Sequence, residues 1–190
     1  MQKPLSKNTP ESGRLVLVVG PSGVGKDTLL DGARAALSGR DDILFPRREI
    51  TRPVDAGGED HIALDEATFA QRQVDGAYAL SWRAHALGYG ISADIIEALG
   101  TGGTVVVNVS RTVLDEARQR FARVKVVSIS ADPVILANRL MARGREDAAE
   151  VAARLSRAQA IPVTGDDVVD IRNDGAVADG IARLVAAISS

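Results

Sequence analysis

A short apolar run that leads directly into a glycine-rich segment constrains this chain more than any other feature. Leu15–Val19 reads LVLVV, which predicts a strand buried on both faces. The next residues, Gly20-Pro-Ser-Gly-Val-Gly-Lys-Asp-Thr28, match the pattern G-x-x-x-x-G-K, and a helix is predicted over Lys26–Ala36. Glycines let the backbone curl around a polyphosphate, and the helix N-terminus adds about half a positive charge. The sequence therefore predicts a phosphate-binding loop whose Lys26 reaches the β- and γ-phosphates of a nucleotide.

One position of this loop departs from the usual pattern. The residue after the lysine is normally a serine or threonine whose hydroxyl binds Mg²⁺, and here it is Asp27. A carboxylate is also a suitable oxygen ligand for Mg²⁺, and Thr28 could supply the hydroxyl instead. Asp27 could equally be a favourable acid in the first turn of a helix. We expect Mg²⁺ near Asp27 and Thr28, with these two readings of Asp27 open.

Further apolar runs indicate the fold class. Thr104–Val109, Val124–Ile129 and Val168–Ile171 predict buried strands, and 112–121 predicts a helix between the first two. Strands alternating with helices predict an open, mostly parallel α/β sheet with helices on both faces. The 190 residues fit one domain, since domains hold about 100–200 residues.

Three segments interrupt or precede this alternation. Residues 47–92 carry turn signals, short strand-like pieces and most of the aromatic side chains, which predicts a small inserted subdomain. Residues 139–158 are rich in arginine and interrupted by Gly144, which predicts a mobile lid. Residues 1–12 are polar with two prolines and predict a disordered tail ahead of a single domain over 13–190.

Composition excludes several classes of protein. The chain has no cysteine and two histidines, which excludes thiolate metal sites and makes a histidine-rich metal centre very unfavourable. A net charge of -2 argues against non-specific nucleic-acid binding. Apolar runs such as LVLVV are far shorter than the roughly 20 residues that span a bilayer. We expect a cytoplasmic protein with no nucleic-acid or membrane partner.

The motifs together resemble the guanylate kinase group of P-loop kinases, and more closely the ribose 1,5-bisphosphate phosphokinase family of bacterial phosphonate breakdown. The resemblance runs from Arg14 to about Leu184 through the segments GPSGVGKD, ITRPVDAGGEDHIALDE, LSWRAHALGYGI, NVSR and RGRED. It implies a guanylate kinase-like P-loop fold and a kinase that uses ATP and Mg²⁺. The implied reaction phosphorylates the 1-phosphate of ribose 1,5-bisphosphate and gives 5-phosphoribosyl 1-diphosphate. The implied partners are small molecules, the sugar phosphate and ATP. A homodimer is a further possibility for the assembly.

The resemblance also assigns residues to the donor nucleotide and to catalysis. The cofactor-binding residues it implies are Gly20, Pro21, Ser22, Gly23, Val24, Gly25, Lys26, Asp27, Thr28 and Asn173. Asn173 lies in an Asn-Asp-Gly segment that is also an ordinary turn sequence, so only proximity to the adenine is expected. The implied catalytic residues are Lys26, Arg143, Arg154 and Arg145. An alternative for Arg154 is a surface ion pair with Glu150.

On the acceptor side the chain departs from guanylate kinases. Ser81 and Ser110 stand where those kinases carry acids that recognise guanine, which favours a sugar phosphate. Arg52 and Tyr89 match residues that hold the acceptor phosphate, and His61 replaces a tyrosine and could donate to a phosphate oxygen. The predicted substrate-binding residues are Arg52, His61, Ser81, Tyr89, Asn108, Ser110 and Arg111.

One arginine of the guanylate kinase pattern is missing, because Asp55 occupies its place. Arg48, Arg83 or Arg111 could compensate for it. Two alternative functions remain at this point. One is a guanylate kinase or another nucleoside monophosphate kinase, and the other is a non-catalytic guanylate-kinase-like binding module.

Overall fold

The computed structural model of the chain describes residues 12–53, 59–142 and 163–190. The strands are β1 (Arg14–Val19), β2 (Ile43–Leu44), β3 (Arg48–Ile50), β4 (His61–Ala63), β5 (Tyr78–Ala84), β6 (Leu87–Ser92), β7 (Thr104–Asn108), β8 (Val124–Ser130) and β9 (Val168–Arg172). The helices are α1 (Lys26–Ala36), α2 (Glu66–Val74), α3 (Ile95–Gly100), α4 (Leu114–Arg120), α5 (Pro133–Ala142) and α6 (Val177–Ser189). Within these ranges, none of the helices has both the length and the apolar character needed to cross a membrane.

Five strands form one sheet in the order β2-β7-β1-β8-β9. β2 runs parallel to β7, and β8 runs parallel to β9. Several neighbours in this order are not consecutive in the chain, so the chain crosses over between them. β1, β7 and β8 are buried along most of their length, as expected of strands covered on both faces. The predicted α/β fold with a mostly parallel sheet is confirmed.

The segment after β7 differs from the prediction at its start. The helix predicted over 112–121 begins as a 3-10 turn, Arg111–Val113, before α4. The Ser110 hydroxyl caps this turn, because it accepts hydrogen bonds from the Thr112 backbone N–H (3.3 Å) and from Thr112 Oγ1 (2.9 Å). A side chain that bonds the backbone two residues ahead favours a tight turn over a regular helical start.

The chain divides into two compact units. The described residues of the first unit are 12–15, 41–53 and 59–124, and those of the second are 16–40, 125–142 and 163–190. In the second unit, α1 packs on α6 because both helices carry a glycine at the contact. A Cβ at Gly32 would lie 2.2 Å from Ile181 Cδ1, and one at Gly180 would lie 2.8 Å from Leu29 Cδ2. This close packing fixes the helix that follows the phosphate loop.

The first unit contains a four-stranded sheet in the order β4-β3-β6-β5. β3 pairs parallel with β4 and antiparallel with β6, and β5 forms an antiparallel hairpin with β6. Helix α2 places Phe69 against Gly88, where a Cβ would lie 2.7 Å from the Phe69 ring. The ring centroids of Phe69 and Tyr78 are 5.2 Å apart. We call these four strands the acceptor sheet, because most of the predicted acceptor-binding residues lie on it or beside it.

A buried carboxylate ties the acceptor sheet to α2. Glu49 of β3 is only 6% exposed and accepts hydrogen bonds from Arg72 Nε (2.7 Å), Arg72 Nη2 (2.8 Å) and the Tyr78 hydroxyl (2.7 Å). Burial and then the bond to Glu49 raise the pKa of Tyr78 to about 12, so the hydroxyl remains a donor at neutral pH. The charge of Glu49 is therefore stabilised by a cation and a neutral donor together.

We predict that Glu49→Ala lowers the free energy of unfolding by about 3 kcal/mol, because Arg72 and Tyr78 lose their shared acceptor. Urea denaturation followed by the fluorescence of Trp82, the single tryptophan, measures this in the same unit. The matched control is Glu66→Ala, which removes an ion pair with Arg83 whose two side chains are more than half exposed and should change little. Equal effects of the two substitutions would contradict the assigned role of Glu49.

Candidate active site

The phosphate loop lies in the second unit, between the end of β1 and the start of α1. Gly23 and Gly25 have φ values of 84° and 98°, a left-handed backbone that favours glycine. Neither position has room for a side chain, since a Cβ at Gly23 would lie 2.6 Å from Leu140 Cδ2 and one at Gly25 would lie 2.7 Å from Asn173 Nδ2. The loop leads directly into the N-terminus of an 11-residue helix, α1. This arrangement can bind a polyphosphate.

Lys26 directs its ammonium group back over this loop. Its Nζ donates hydrogen bonds to the carbonyl oxygens of Gly20 (2.8 Å) and Pro21 (2.9 Å). The group is partly buried, so its charge is less screened than that of a surface lysine. The structure thus places a compact cation at the loop, as the motif predicts.

Two side chains donate hydrogen bonds to the same backbone carbonyl of the loop, that of Val24. Asn173, 5% exposed, donates from Nδ2 to the Val24 carbonyl oxygen at 2.8 Å, and Arg139 Nη1 donates to the same oxygen at 3.3 Å. The backbone N–H of Asn173 donates to the Ser130 carbonyl at 2.8 Å, which joins the end of β9 to the end of β8. Asn173 was expected near the adenine, and the contact found for it is with the phosphate loop. Arg139 has a contact with the loop that the sequence analysis did not identify.

The turn after Asn173 is held by a second set of polar contacts. Asp174 Oδ1 accepts from the Asp132 backbone N–H at 2.6 Å, and its Oδ2 lies 2.7 Å from Arg172 Nη2. The Asp132 N–H and then the bond from Arg172 lower the pKa of Asp174, so it stays ionised at neutral pH. These contacts fix the Asn-Asp-Gly turn that carries Asn173.

Two exposed side chains with oxygen atoms lie at the first turn of α1. Asp27 and Thr28 are both solvent-accessible there, in positions one and two residues after Lys26. The described residues contain no group of three or more His, Cys, Asp or Glu side chains that could enclose a metal ion. This donor set fits Mg²⁺, which proteins commonly hold through one or two side-chain oxygens together with substrate phosphates.

In the first unit, Arg52 and His61 contact each other. Arg52 follows β3 and His61 begins β4, where it is 5% exposed. His61 Nε2 lies 3.1 Å from the Arg52 carbonyl oxygen, and His61 Nδ1 lies 3.3 Å from Arg52 Nη2. The structure therefore brings together two residues that the sequence analysis assigned separately to the acceptor phosphate.

The other predicted acceptor residues lie at strand positions of the same unit. Ser81 is on β5 and accepts a hydrogen bond from Gln73 Nε2 of α2 at 3.1 Å. Tyr89 is on β6, with its ring stacked on Trp82 at a centroid distance of 5.3 Å and an interplanar angle of 3°. Asn108 ends β7, with Ser110 and Arg111 following it. Burial lowers the pKa of Arg111, because desolvation disfavours its charged form.

Arg48 connects several of these positions. Its Nε and Nη2 donate to the two carboxylate oxygens of Glu59, and its Nη1 donates to the Asn108 carbonyl at 3.1 Å. The guanidinium carbon also lies 5.2 Å from the Tyr89 ring centroid and 5.8 Å from that of Trp82. Of the three arginines considered as compensation for the missing one, Arg48 is bound to Glu59 and Arg83 to Glu66.

The residues that the sequence analysis missed bind partners on other elements of the fold. Glu59 pairs across 11 residues and Gln73 across 8. The GED segment shows a carboxylate at Glu59, but nothing in it indicates the partner. The predicted lid arginines Arg143, Arg145 and Arg154 lie outside the described residues.

No protein-family model matches the chain. Several curated relatives carry the name ribose 1,5-bisphosphate phosphokinase PhnN. The chain is 56% identical to the relative from Acidiphilium cryptum over 160 residues, which covers 84% of each chain. It is 51% identical to the relative from Methylobacterium radiotolerans over 174 residues, covering 92% of this chain and 96% of that one. It is 47% identical to the relative from Laribacter hongkongensis over 180 residues, which spans 95% of this chain but only 43% of that longer protein.

Solved structures agree on the fold. A guanylate kinase from Anaplasma phagocytophilum is similar with a TM-score of 0.64 and 15% identity, covering 95% of this chain and 86% of that one. A gluconokinase from Sinorhizobium meliloti is similar with a TM-score of 0.53 and 18% identity, covering 95% and 93%. At these identities the likeness concerns the fold alone, and it agrees with the predicted guanylate kinase-like P-loop architecture. Taken with identities of 51–56% to relatives that the chain covers almost fully, the observations show that this chain belongs to the ribose 1,5-bisphosphate phosphokinase family of kinases.

Proposed function

We propose that this chain transfers the γ-phosphoryl group of ATP to the 1-phosphate of ribose 1,5-bisphosphate. An oxygen of the 1-phosphate attacks the γ-phosphorus, the bond to the β-phosphate oxygen breaks, and the products are ADP and 5-phosphoribosyl 1-diphosphate. The observation that carries the proposal is the 51% identity to a ribose 1,5-bisphosphate phosphokinase across 92% of this chain. The arrangement of charged groups in the two units supports it.

On the donor side, residues 20–28 would hold the ATP phosphates through backbone N–H groups and Lys26. Asn173 and Arg139 support this loop through the Val24 carbonyl. Asp27 and Thr28 would hold Mg²⁺. When bound, Mg²⁺ would neutralise charge on the β- and γ-phosphates.

On the acceptor side, recognition would depend on cations and neutral polar groups. Arg52, Tyr89 and Arg111 would hold the phosphates of the sugar. The neutral groups assigned to the sugar are Ser81, Asn108 and Ser110. Glu49 and Glu59, the carboxylates of β3 and of the segment before β4, are each paired with an arginine. A purine would need acceptors for its N–H groups, and these two carboxylates are already bound within the protein.

The chemistry needs no general base. The second pKa of a phosphate is about 6, so the attacking oxygen is already ionised at neutral pH. The main barrier is the repulsion between two polyanions, which is reduced by fixed cations and by alignment. We propose that Lys26 together with Arg143, Arg145 and Arg154 of a lid over 139–158 supplies those cations, and that residues 47–92 bind the acceptor. Because its substrates are small polar metabolites and ATP, we place the enzyme in the cytoplasm.

We predict that the purified protein with Mg-ATP has a kcat/KM for ribose 1,5-bisphosphate at least about 100-fold above that for GMP. A site without a base-recognising carboxylate cannot stabilise GMP selectively, and unpaired polar groups discriminate by about 10⁴-fold. ADP release in a coupled assay measures both substrates. Lys26→Ala, assayed in parallel, controls for contaminating kinases. Preferential phosphorylation of GMP would reject the proposed function.

We predict that Asn173→Ala raises the Kd of Mg-ATP about tenfold, because a hydrogen bond of about 1.5 kcal/mol to the loop is lost. Asn173→Asp keeps the side-chain size but removes the N–H donor, so it should have a similar effect. Calorimetric titration with Mg-ATP measures both variants. The control Asp170→Asn changes an exposed residue on β9, the strand that precedes Asn173, and should bind normally. Normal ATP binding by both Asn173 variants would exclude a role for Asn173 in supporting the loop.

We predict that Asp27→Ala raises the Mg²⁺ concentration for half-maximal rate about tenfold, since a charged oxygen ligand is lost. The measurement is the initial rate at fixed ATP over a Mg²⁺ series. Thr28→Val is the matched variant that removes the neighbouring hydroxyl at nearly constant volume. A shift for Thr28→Val with none for Asp27→Ala would assign the metal to the threonine.

A further inference from the structure

The buried imidazole of His61 contacts one residue, Arg52, at two points. Its Nε2 lies 3.1 Å from the carbonyl oxygen of Arg52, and its Nδ1 lies 3.3 Å from Nη2 of the same arginine. The Glu59 carbonyl oxygen lies 3.0 Å from Nδ1 as well. The ring therefore bridges the backbone and the guanidinium of Arg52.

The contact with the Arg52 carbonyl places one proton of the ring. A carbonyl oxygen only accepts, so this contact requires the proton on Nε2. If the ring is neutral, the Nδ1 lone pair accepts from Arg52 Nη2 and makes no bond with the Glu59 carbonyl. A doubly protonated ring would instead donate from Nδ1 to the Glu59 carbonyl and would keep the bond from Nε2. Both forms keep Arg52 bound through its carbonyl, and the neutral form also orients its guanidinium.

Arg52 depends on this support. Its Nε is buried and has no hydrogen-bond partner among the described residues. A guanidinium is normally fixed by several of its five N–H groups, and here His61 provides the side-chain contact on Nη2. Without the imidazole, the long side chain would lose the group that holds it in one rotamer.

We propose that His61 is a positioning residue that orients Arg52 toward the acceptor phosphate without contacting the substrate itself. This inference rests on the proposed function. It differs from the expectation that His61 donates directly to a phosphate oxygen, because the ring is 5% exposed and both its nitrogens face Arg52 or Glu59. In this arrangement, His61 affects the affinity for the acceptor only through Arg52, so replacing Arg52 should remove the effect of changing His61.

The test is a double-mutant cycle on the full chain with His61→Leu and Arg52→Lys. Lysine keeps the charge but lacks Nη2, so the contact with Nδ1 disappears while turnover remains measurable. We expect His61→Leu to raise the KM for ribose 1,5-bisphosphate about tenfold or more, with the KM for ATP unchanged. In the Arg52→Lys background the same change should have less than about a twofold effect.

A rescue variant and a replacement variant complete the cycle. His61→Gln should recover most of the acceptor affinity, since its amide oxygen can accept from Arg52 Nη2 while its amide N–H donates to the Arg52 carbonyl. If His61→Leu is unfolded at the assay temperature, His61→Asn takes its place, because its amide is too short to contact both ends of Arg52. Equal losses in the wild-type and Arg52→Lys backgrounds would overturn the proposal and indicate a direct contact between His61 and the substrate.

A second measurement needs no substrate and therefore separates this inference from the proposed function. The chain has only two histidines, His61 and His85, so their ring nitrogens can be assigned in protein labelled with ¹⁵N-histidine. We expect a protonated Nε2 at His61 and a shift of its Nδ1 resonance in Arg52→Lys, with His85 at the exposed hairpin tip unchanged. An Nδ1-only proton at His61, or no response to Arg52→Lys, would overturn the inference. Absence of wild-type turnover of ribose 1,5-bisphosphate would instead reject the proposed function.

Discussion

The second unit depends on the close approach of neighbouring side chains to the backbone of the loop at residues 20–25. Gly23 and Gly25 adopt left-handed conformations with neighbouring side chains less than 3 Å from where a Cβ would lie. One of these neighbours is Asn173, which comes from the far end of the chain and also donates to the Val24 carbonyl. The conformation of the loop thus depends on glycine at these two positions and on the Asn173 amide packed against Gly25. Preorganised donors of this kind need no rearrangement when an anion binds.

The first unit handles charge in a different way, by pairing. Arg48 is bound to Glu59, and Arg72 to Glu49, both in partly or fully buried surroundings. Removing one partner of such a pair leaves the other charge uncompensated, so the paired positions tolerate few other residues. Arg52 differs, because its side-chain contact is with the imidazole of His61 and not with a carboxylate. That contact brings no negative charge to the arginine.

The parts of the structure that the sequence predicted are those set by local pattern. The buried runs at 15–19 and 124–129 became β1 and β8, and the helix over Lys26–Ala36 has the predicted bounds. The glycine spacing and Lys26 identified the loop because its conformation is dictated by adjacent residues. The contacts of Asn173 with Val24 and of Arg48 with Asn108 join residues 149 and 60 positions apart. Such pairs depend on topology and side-chain direction, so neither periodicity nor spacing reveals them.

The acceptor preference follows from where polar groups are already engaged. The fold is shared with a guanylate kinase and a gluconokinase, so the fold cannot select the acceptor. At Ser81 the hydroxyl is bound to Gln73, at Ser110 it caps the turn that follows, and the Glu59 carboxylate is bound to Arg48. Each of these contacts occupies an acceptor that the N–H groups of a base edge would need, whereas the Ser81 and Ser110 hydroxyls keep their O–H donors for a sugar or a phosphate. An acceptor recognised mainly through its negative charge needs none of these acceptor atoms, so the proposed site suits a doubly phosphorylated sugar better than a nucleotide.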